Sequence, residues 1–92
     1  MSKIEILEES QVIMILLALL KTPNQSFSEL HKKLKGSNNT THIRIKELER
    51  EKLITETYEK KFQGKRLINL TKEGKEIAEL LDKINIKLDE FN

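Results

Sequence analysis

Apolar residues crowd the chain first at Val12–Leu20, nine in succession, with Glu8 and Glu9 ahead and Lys21 behind. No face of such a helix is polar, so it must be covered all round, by its own domain on one face and by a partner on another. Ser10 suits the N-cap of this helix, which is predicted to run to about Leu20. Residues 2–9, with Ile4, Ile6 and Leu7, either extend it or form an arm. Thr22-Pro23-Asn24 breaks the pattern, because proline lacks the amide proton that a helix interior needs.

The next segments are short and amphipathic. Ser26-Phe27-Ser28-Glu29 has the spacing of a capping box, and Phe27, Leu30 and Leu34 recur on one helical face. Gly36 is expected to end this helix in a left-handed cap conformation. Ser37, Asn38 and Asn39 offer N-caps for a third helix to about Lys52, with Thr41, Ile45, Leu48 and Lys52 along one face. Two short helices joined by a glycine-containing turn make a helix-turn-helix. Residues 54–58 are strand formers, Gly64 marks a hairpin loop, and Arg66-Leu67-Ile68-Asn69-Leu70 reads as the return strand. Thr71 caps a last helix in which Ile77, Leu81, Ile84, Leu88 and Phe91 follow at spacings of 4, 3, 4 and 3. That is an a/d seam over two heptads. The predicted fold is α+β and mostly helical, in the order helix, helix, helix, β-hairpin, helix.

Ninety-two residues fit one domain. It divides into a core over 10–70, with its hairpin at 54–70, and a C-terminal helix over 71–92. The chain has no cysteine, which excludes disulfides and thiolate metal sites and suits a reducing cytoplasm. Nine apolar residues fall short of the roughly 20 that span a bilayer, and the flanks of the run lack a signal-peptide pattern. A cytoplasmic protein without membrane contact is expected. The net charge of +2 says little, but its distribution says more. Residues 31–75 hold thirteen Lys and Arg against six acids, while the remainder holds four against nine. A basic middle between acidic ends is the footprint of a polyanion-binding surface; the plain alternative is chance clustering in a lysine-rich chain.

Three segments resemble winged helix-turn-helix regulators of the MarR and PadR kind, over roughly residues 10–81. Phe27-Ser28-Glu29-Leu30 is similar to the opening of that superfamily's second helix. Residues 45–54, Ile-Lys-Glu-Leu-Glu-Arg-Glu-Lys-Leu-Ile, are similar to the close of its recognition helix, with Lys52 where the family often has glycine. Leu70-Thr71-Lys72-Glu73-Gly74 is similar to the passage from wing to last helix. The resemblance implies a winged helix that binds double-stranded DNA, with no particular inducer or operator.

A recognition helix reads bases in the major groove with its N-terminal residues, here Asn38, Asn39, Thr40, His42, Ile43, Arg44 and Lys46. Asn can bond adenine and Arg guanine. Ile43 either touches a thymine methyl or is partly buried against the wing. Lys60, Lys61, Lys65 and Arg66 lie at or near the wing tip, where phosphate or minor-groove contacts are expected; the alternative is a solvated tip that resists edge pairing. His31 and His42 lack the spacing of a helical ligand pair, so no metal or other cofactor is expected. No nucleophile-base set or phosphate loop marks an enzyme. Ile77, Leu81, Ile84, Leu88 and Phe91 are expected to form a homodimer interface, the alternative being a helix folded back on its own first helix. The expected function is sequence-specific DNA binding by a dimeric transcription regulator. A protein-interaction module and a non-specific architectural DNA binder are the other readings, and no polar constellation points to a small-molecule effector.

Overall fold

The computed structural model describes residues 3–59 and 65–91. A 3-10 turn, Lys3–Glu8, leads into α1 (Val12–Lys21), α2 (Phe27–His31) and α3 (Asn38–Arg50). The hairpin strands β1 (Ile54–Glu59) and β2 (Lys65–Leu70) follow, then α4 (Lys72–Phe91). The strands pair antiparallel, from Ile54 opposite Leu70 to Glu59 opposite Lys65. This is the winged-helix order that the apolar pattern predicts.

The core is built around α1, which buries Val12, Ile15, Leu16 and Leu19. Leu30 comes from α2, Ile45 and Leu48 from α3, Ile54 and Ile68 from the hairpin, and Ala78 from α4. The opposite side of α1 stays open, with Ile13 and Met14 exposed. A helix apolar on all sides is therefore covered on one side by its own domain, as its composition requires.

The helix starts differ in part from expectation. Ser26 and Ser37 are N-caps, accepting from the amides of Glu29 and Thr40. The cap of α1 is Gln11, not Ser10, and it stands at φ 71 with no side-chain bond to its own helix. Its amide is committed elsewhere. Nε2 donates to the Lys35 carbonyl at 2.9 Å, and Oε1 accepts the Thr41 hydroxyl proton at 2.9 Å. Gly36 makes this possible. It lies at φ +132, and a Cβ there would stand 2.3 Å from Gln11 Nε2. Helix α2 has already ended at His31, continued by tight turns from Lys33 to Leu30 and from Leu34 to His31. Gly36 thus clears space for Gln11 instead of capping α2.

Gln25 escapes any pattern of apolar spacing, yet it is fully buried. Its backbone exchanges two hydrogen bonds with Ile68, which ties the α1–α2 turn to β2. Its Nε2 donates to the carbonyls of Ala18 and Thr22, at 2.9 and 2.6 Å, and its Oε1 accepts from Lys33 Nζ at 2.9 Å. Gln25 thus gives the Ala18 carbonyl a second donor beside the Thr22 amide and satisfies the Thr22 carbonyl just past α1.

Helix α3 ends in a Schellman turn. Lys52 takes φ 62, the Leu53 amide donates to Leu48 and the Lys52 amide to Glu49. The exposed Lys52 carbonyl then accepts the Thr71 hydroxyl at 2.7 Å, and the Thr71 amide donates to the Leu53 carbonyl at 3.0 Å. Thr71 Oγ1 also accepts the Gly74 amide at 3.0 Å, capping α4. A Cβ on Gly74 would lie 1.9 Å from the Leu53 carbonyl oxygen. These contacts explain the residues that carry the sequence resemblance: a left-handed residue after the recognition helix, a capping Thr and a Gly pressed on the turn.

Two substitutions at this joint should move stability in opposite directions. Lys52→Gly relieves a left-handed lysine and should stabilise by about 1 kcal/mol, raising Tm by about 5 °C for a domain of this size. Gly74→Ala forces a methyl into backbone and should cost about 3 kcal/mol. Thermal melts followed by circular dichroism check both; a neutral Gly74→Ala would refute the close approach.

Candidate nucleic-acid interface

Buried Thr41, Ile45 and Leu48 fix the inner face of α3. The helical period then assigns the remaining positions. Asn39, Ile43, Lys46 and Arg50 lie along one outward crest, all exposed. Asn38 is exposed at the leading end. Ile43 keeps 44 % of its surface accessible, so it is not covered by the wing. Arg50 joins this crest by its position, a residue that sequence reading counted among the bases but did not assign to the site. Thr40 is half-buried, with its hydroxyl 3.0 Å from that of Ser37.

The two flanks of α3 differ. On one side His42 stacks on Phe27 with ring centroids 3.9 Å apart and planes 9° from parallel. His31 stacks near the same ring at 5.7 Å, and its Nδ1 lies 2.9 Å from Thr41 Oγ1. Since the Thr41 proton goes to Gln11, Thr41 accepts from His31 Nδ1–H. Both histidines thus sit against one phenyl ring and join α2 to α3. Among the described residues no group of three or more His, Asp and Glu is placed to hold a metal.

On the opposite flank Arg44 turns towards the chain ahead of α1. Its Nε donates to the Ser10 carbonyl at 3.0 Å. Its terminal nitrogens meet Glu47 at 3.1 Å and Glu9 at 3.3 Å, and its side chain is only 17 % exposed. The structure therefore places Arg44 away from the crest where sequence reasoning expected it. Apolar periodicity carries no signal of a partner more than thirty positions distant.

Between α3 and the hairpin runs a groove of about 410 Å³, walled by His42, Lys46, Glu49, Glu56 and Arg66. Arg66 is exposed on β2, opposite Tyr58. Its Nε donates to the Tyr58 hydroxyl at 3.1 Å, and Nη1 lies 3.5 Å from Glu56. Tyr58 first, and Glu56 after it, raise its already high pKa. Lys65 begins β2, whereas Lys60 and Lys61 lie outside the described residues. On α2's continuation Lys33 is engaged with Gln25, and Lys32 and Lys35 are exposed.

The apolar seam of α4 splits into two faces. Ile77 and Leu81 pack with Ala78 against their own core, on the side facing α1. Leu80, Ile84, Leu88 and Phe91, spaced 4, 4 and 3 apart, form the neighbouring stripe and are 56–77 % exposed. Of the residues expected at a homodimer interface, Ile77 and Leu81 are thus largely taken up by intrachain packing, and Leu80 lies exposed beside the remaining three. Of the two sequence alternatives for this helix, folding back on α1 accounts for its inner face, while the outer stripe is exposed.

Glu49 is half-buried in the groove, and its pKa is raised from the usual carboxylate value. Burial is the larger cause and the nearby Glu56 the second, against lowering by Lys46 and Arg66. A raised folded-state pKa means that the native protein binds the proton more tightly than the unfolded chain. Its stabilising effect is full below the unfolded value near 4.5 and is lost as pH rises through the folded pKa. Glu49→Gln should therefore melt higher than the parent at pH 7, with the difference vanishing as pH falls towards 4.5. An equal difference at both pH values would contradict this.

Comparison with known proteins follows this geometry. No curated protein matches the chain by sequence. Among solved structures, MepR, a transcription regulator of the Staphylococcus aureus multidrug efflux pump MepA, is similar at TM-score 0.78 and 22% identity. That match covers 97% of this chain and 67% of MepR. FabT of Streptococcus pneumoniae, solved in complex with DNA, is similar at TM-score 0.79 and 21% identity, over 87% of this chain and 56% of FabT. The transcriptional regulator YodB from B. subtilis, in its reduced form, is similar at TM-score 0.81 and 19% identity, over 95% of this chain and 85% of YodB. This chain therefore spans from about half to most of the length of these proteins. A family model, HxlR-like helix-turn-helix, matches residues 6–91. With its helix-turn-helix, its wing and this match over nearly all of its length, the chain belongs to the HxlR-like helix-turn-helix family.

Proposed function

We propose that this protein is a transcription regulator that binds double-stranded DNA sequence-specifically as a homodimer in the cytoplasm. The observation that carries the reading is the exposed crest of α3, with Asn38 and Asn39 exposed at its leading end and Arg66 exposed on the neighbouring hairpin. Asn38, Asn39, His42, Ile43 and Lys46 face the major groove, with Arg50 further along. Asn39 supplies an amide that can pair with adenine, and Ile43 an apolar surface for a thymine methyl. Arg66 contacts phosphate or the minor groove, and the sequence offers Lys60, Lys61 and Lys65 for the same role. FabT, with the same fold, has been solved on DNA, and the HxlR-like family assignment supports the same role.

The second copy is expected on the outer stripe of α4. Leu80, Ile84 and Phe91 are large apolar side chains on one line, and α1 presents Ile13 and Met14 as well. A cleft of about 660 Å³ between α1 and α4, walled by Met14, Leu17, Ala18, Asp82 and Asn85, adjoins them. A two-fold pairing through these helices sets two recognition helices for half-sites about 34–36 Å apart, or a multiple of that.

Two measurements test this. Duplex binding should fall about a thousandfold between roughly 50 and 200 mM salt, as phosphate contacts release counterions. Absence of binding at low salt would sink the reading. The double variant Leu80→Glu with Ile84→Glu should stay folded by circular dichroism, because both side chains are exposed. It should sediment as a monomer and lose about a hundredfold in DNA affinity, the avidity of two linked half-sites. A dimer that survives those charges would refute the proposed interface.

A further inference from the structure

We infer that Arg44 is a positioning residue for DNA recognition and not a reader of bases: it fixes the rotation of α3 by tethering it to the Ser10–Gln11 corner. This rests on the DNA-binding reading above. The guanidinium has four partners. Nε donates to the Ser10 carbonyl at 3.0 Å, Nη2 to the Ser10 hydroxyl at 3.4 Å, and Nη1 to Glu47 at 3.1 Å. Nη2 also pairs with Glu9 at 3.3 Å. Reaching a base edge would mean leaving all of them and stranding two carboxylates beside a polyanion.

The same corner holds α3 a second time. Thr41, on the buried face, donates to Gln11 Oε1 at 2.9 Å. Thr41 and Arg44 are three positions apart, nearly one helical turn. The first lies on the inner face and the second on the flank. Buried Ile45 and Leu48 seat the inner face of α3, and His42 stacks on one flank. Arg44 adds a polar tether on the opposite flank, and with it resists a roll that would change where Asn39, Ile43 and Lys46 point. Recognition geometry tolerates little of such displacement. The residues that fix it come from the chain ahead of α1, where Ile6 and Leu7 pack on the core.

The test compares the parent, Arg44→Ala and the double variant Glu9→Ala with Glu47→Ala. Two probes are used: the duplex that the parent selects from a random pool, and an unselected duplex of equal length, each titrated over a range of salt. Arg44→Ala should lower the ratio of selected to unselected affinity about tenfold. Its unselected affinity and salt slope should match the parent, which also reports an intact fold. The acid-free variant still has Arg44, and its ratio should fall as well. Three results would overturn the inference. A ratio that holds or rises in the acid-free variant marks Arg44 as a base reader released from competing acids. A salt slope smaller by about one in Arg44→Ala marks a phosphate contact. A parent that selects no duplex defeats the DNA-recognition reading itself, and does so before any variant is made.

Discussion

The meeting of Leu53 with Gly74 governs the molecule. At this point the end of α3, the start of β1 and the first turn of α4 come together, backbone against backbone at Leu53 and Gly74. The Leu53 carbonyl faces Gly74 so closely that no side chain fits between them. Thr71 fastens the joint with its hydroxyl on Lys52 and its amide on Leu53. Backbone-to-backbone contact is stiffer than side-chain packing, since no rotamer change can absorb an error. The angle between the recognition helix and the long C-terminal helix is thereby set within the monomer. A two-fold pairing through α4 would convert that angle into a spacing between two DNA-reading helices.

The other end of α3 is held by polar groups. Gln11 gives up its role as a helix cap, adopts a left-handed backbone and spends its amide on Lys35 and Thr41. Left-handed conformation costs an ordinary residue roughly 1–2 kcal/mol, and three hydrogen-bonding groups repay it by being satisfied together. No buried side-chain nitrogen or oxygen among the described residues lacks a partner. Polar networks that are complete in this way specify a single arrangement more strictly than apolar contact does.

Much of this was legible in the order of residues. Helical spacing of Thr41, Ile45 and Leu48 located the inner face of α3, and strand formers either side of Gly64 located the hairpin. Thr71 as a cap followed from its place before an amphipathic run. Long-range polar pairing was not legible. Gln25 and Gln11 are ordinary polar residues by composition, and only the fold shows that one plugs the end of α1 while the other plugs the start of α3. Arg44 illustrates the same blindness in reverse. Its place near the front of the recognition helix suggested a base contact, whereas its partners, Glu9 and Ser10, lie on a segment that the pattern left undecided between helix and arm. Gly36 looked like a helix cap because glycine after a helix usually is one; the helix stopped earlier than its apolar face did.

The seam on α4 shows how one pattern can span a packed face and an exposed one. A stripe of residues at spacings of three and four tells which line of the helix is apolar, not how wide the line is or what lies on it. Adding Leu80 and Ala78 widens the apolar arc beyond what a single partner helix covers. The inner margin, Ala78 with Ile77 and Leu81, has a small, fully buried residue at its centre. The outer margin carries only large residues, Leu80, Ile84 and Phe91, which suit interdigitation with a second large-residue surface. One small residue between two large ones inside, and only large ones outside, would suit a helix that is both the last wall of its own core and a surface for another chain. With a core this small, a two-fold pairing through α4 would let one helix contribute to stability and to assembly at once.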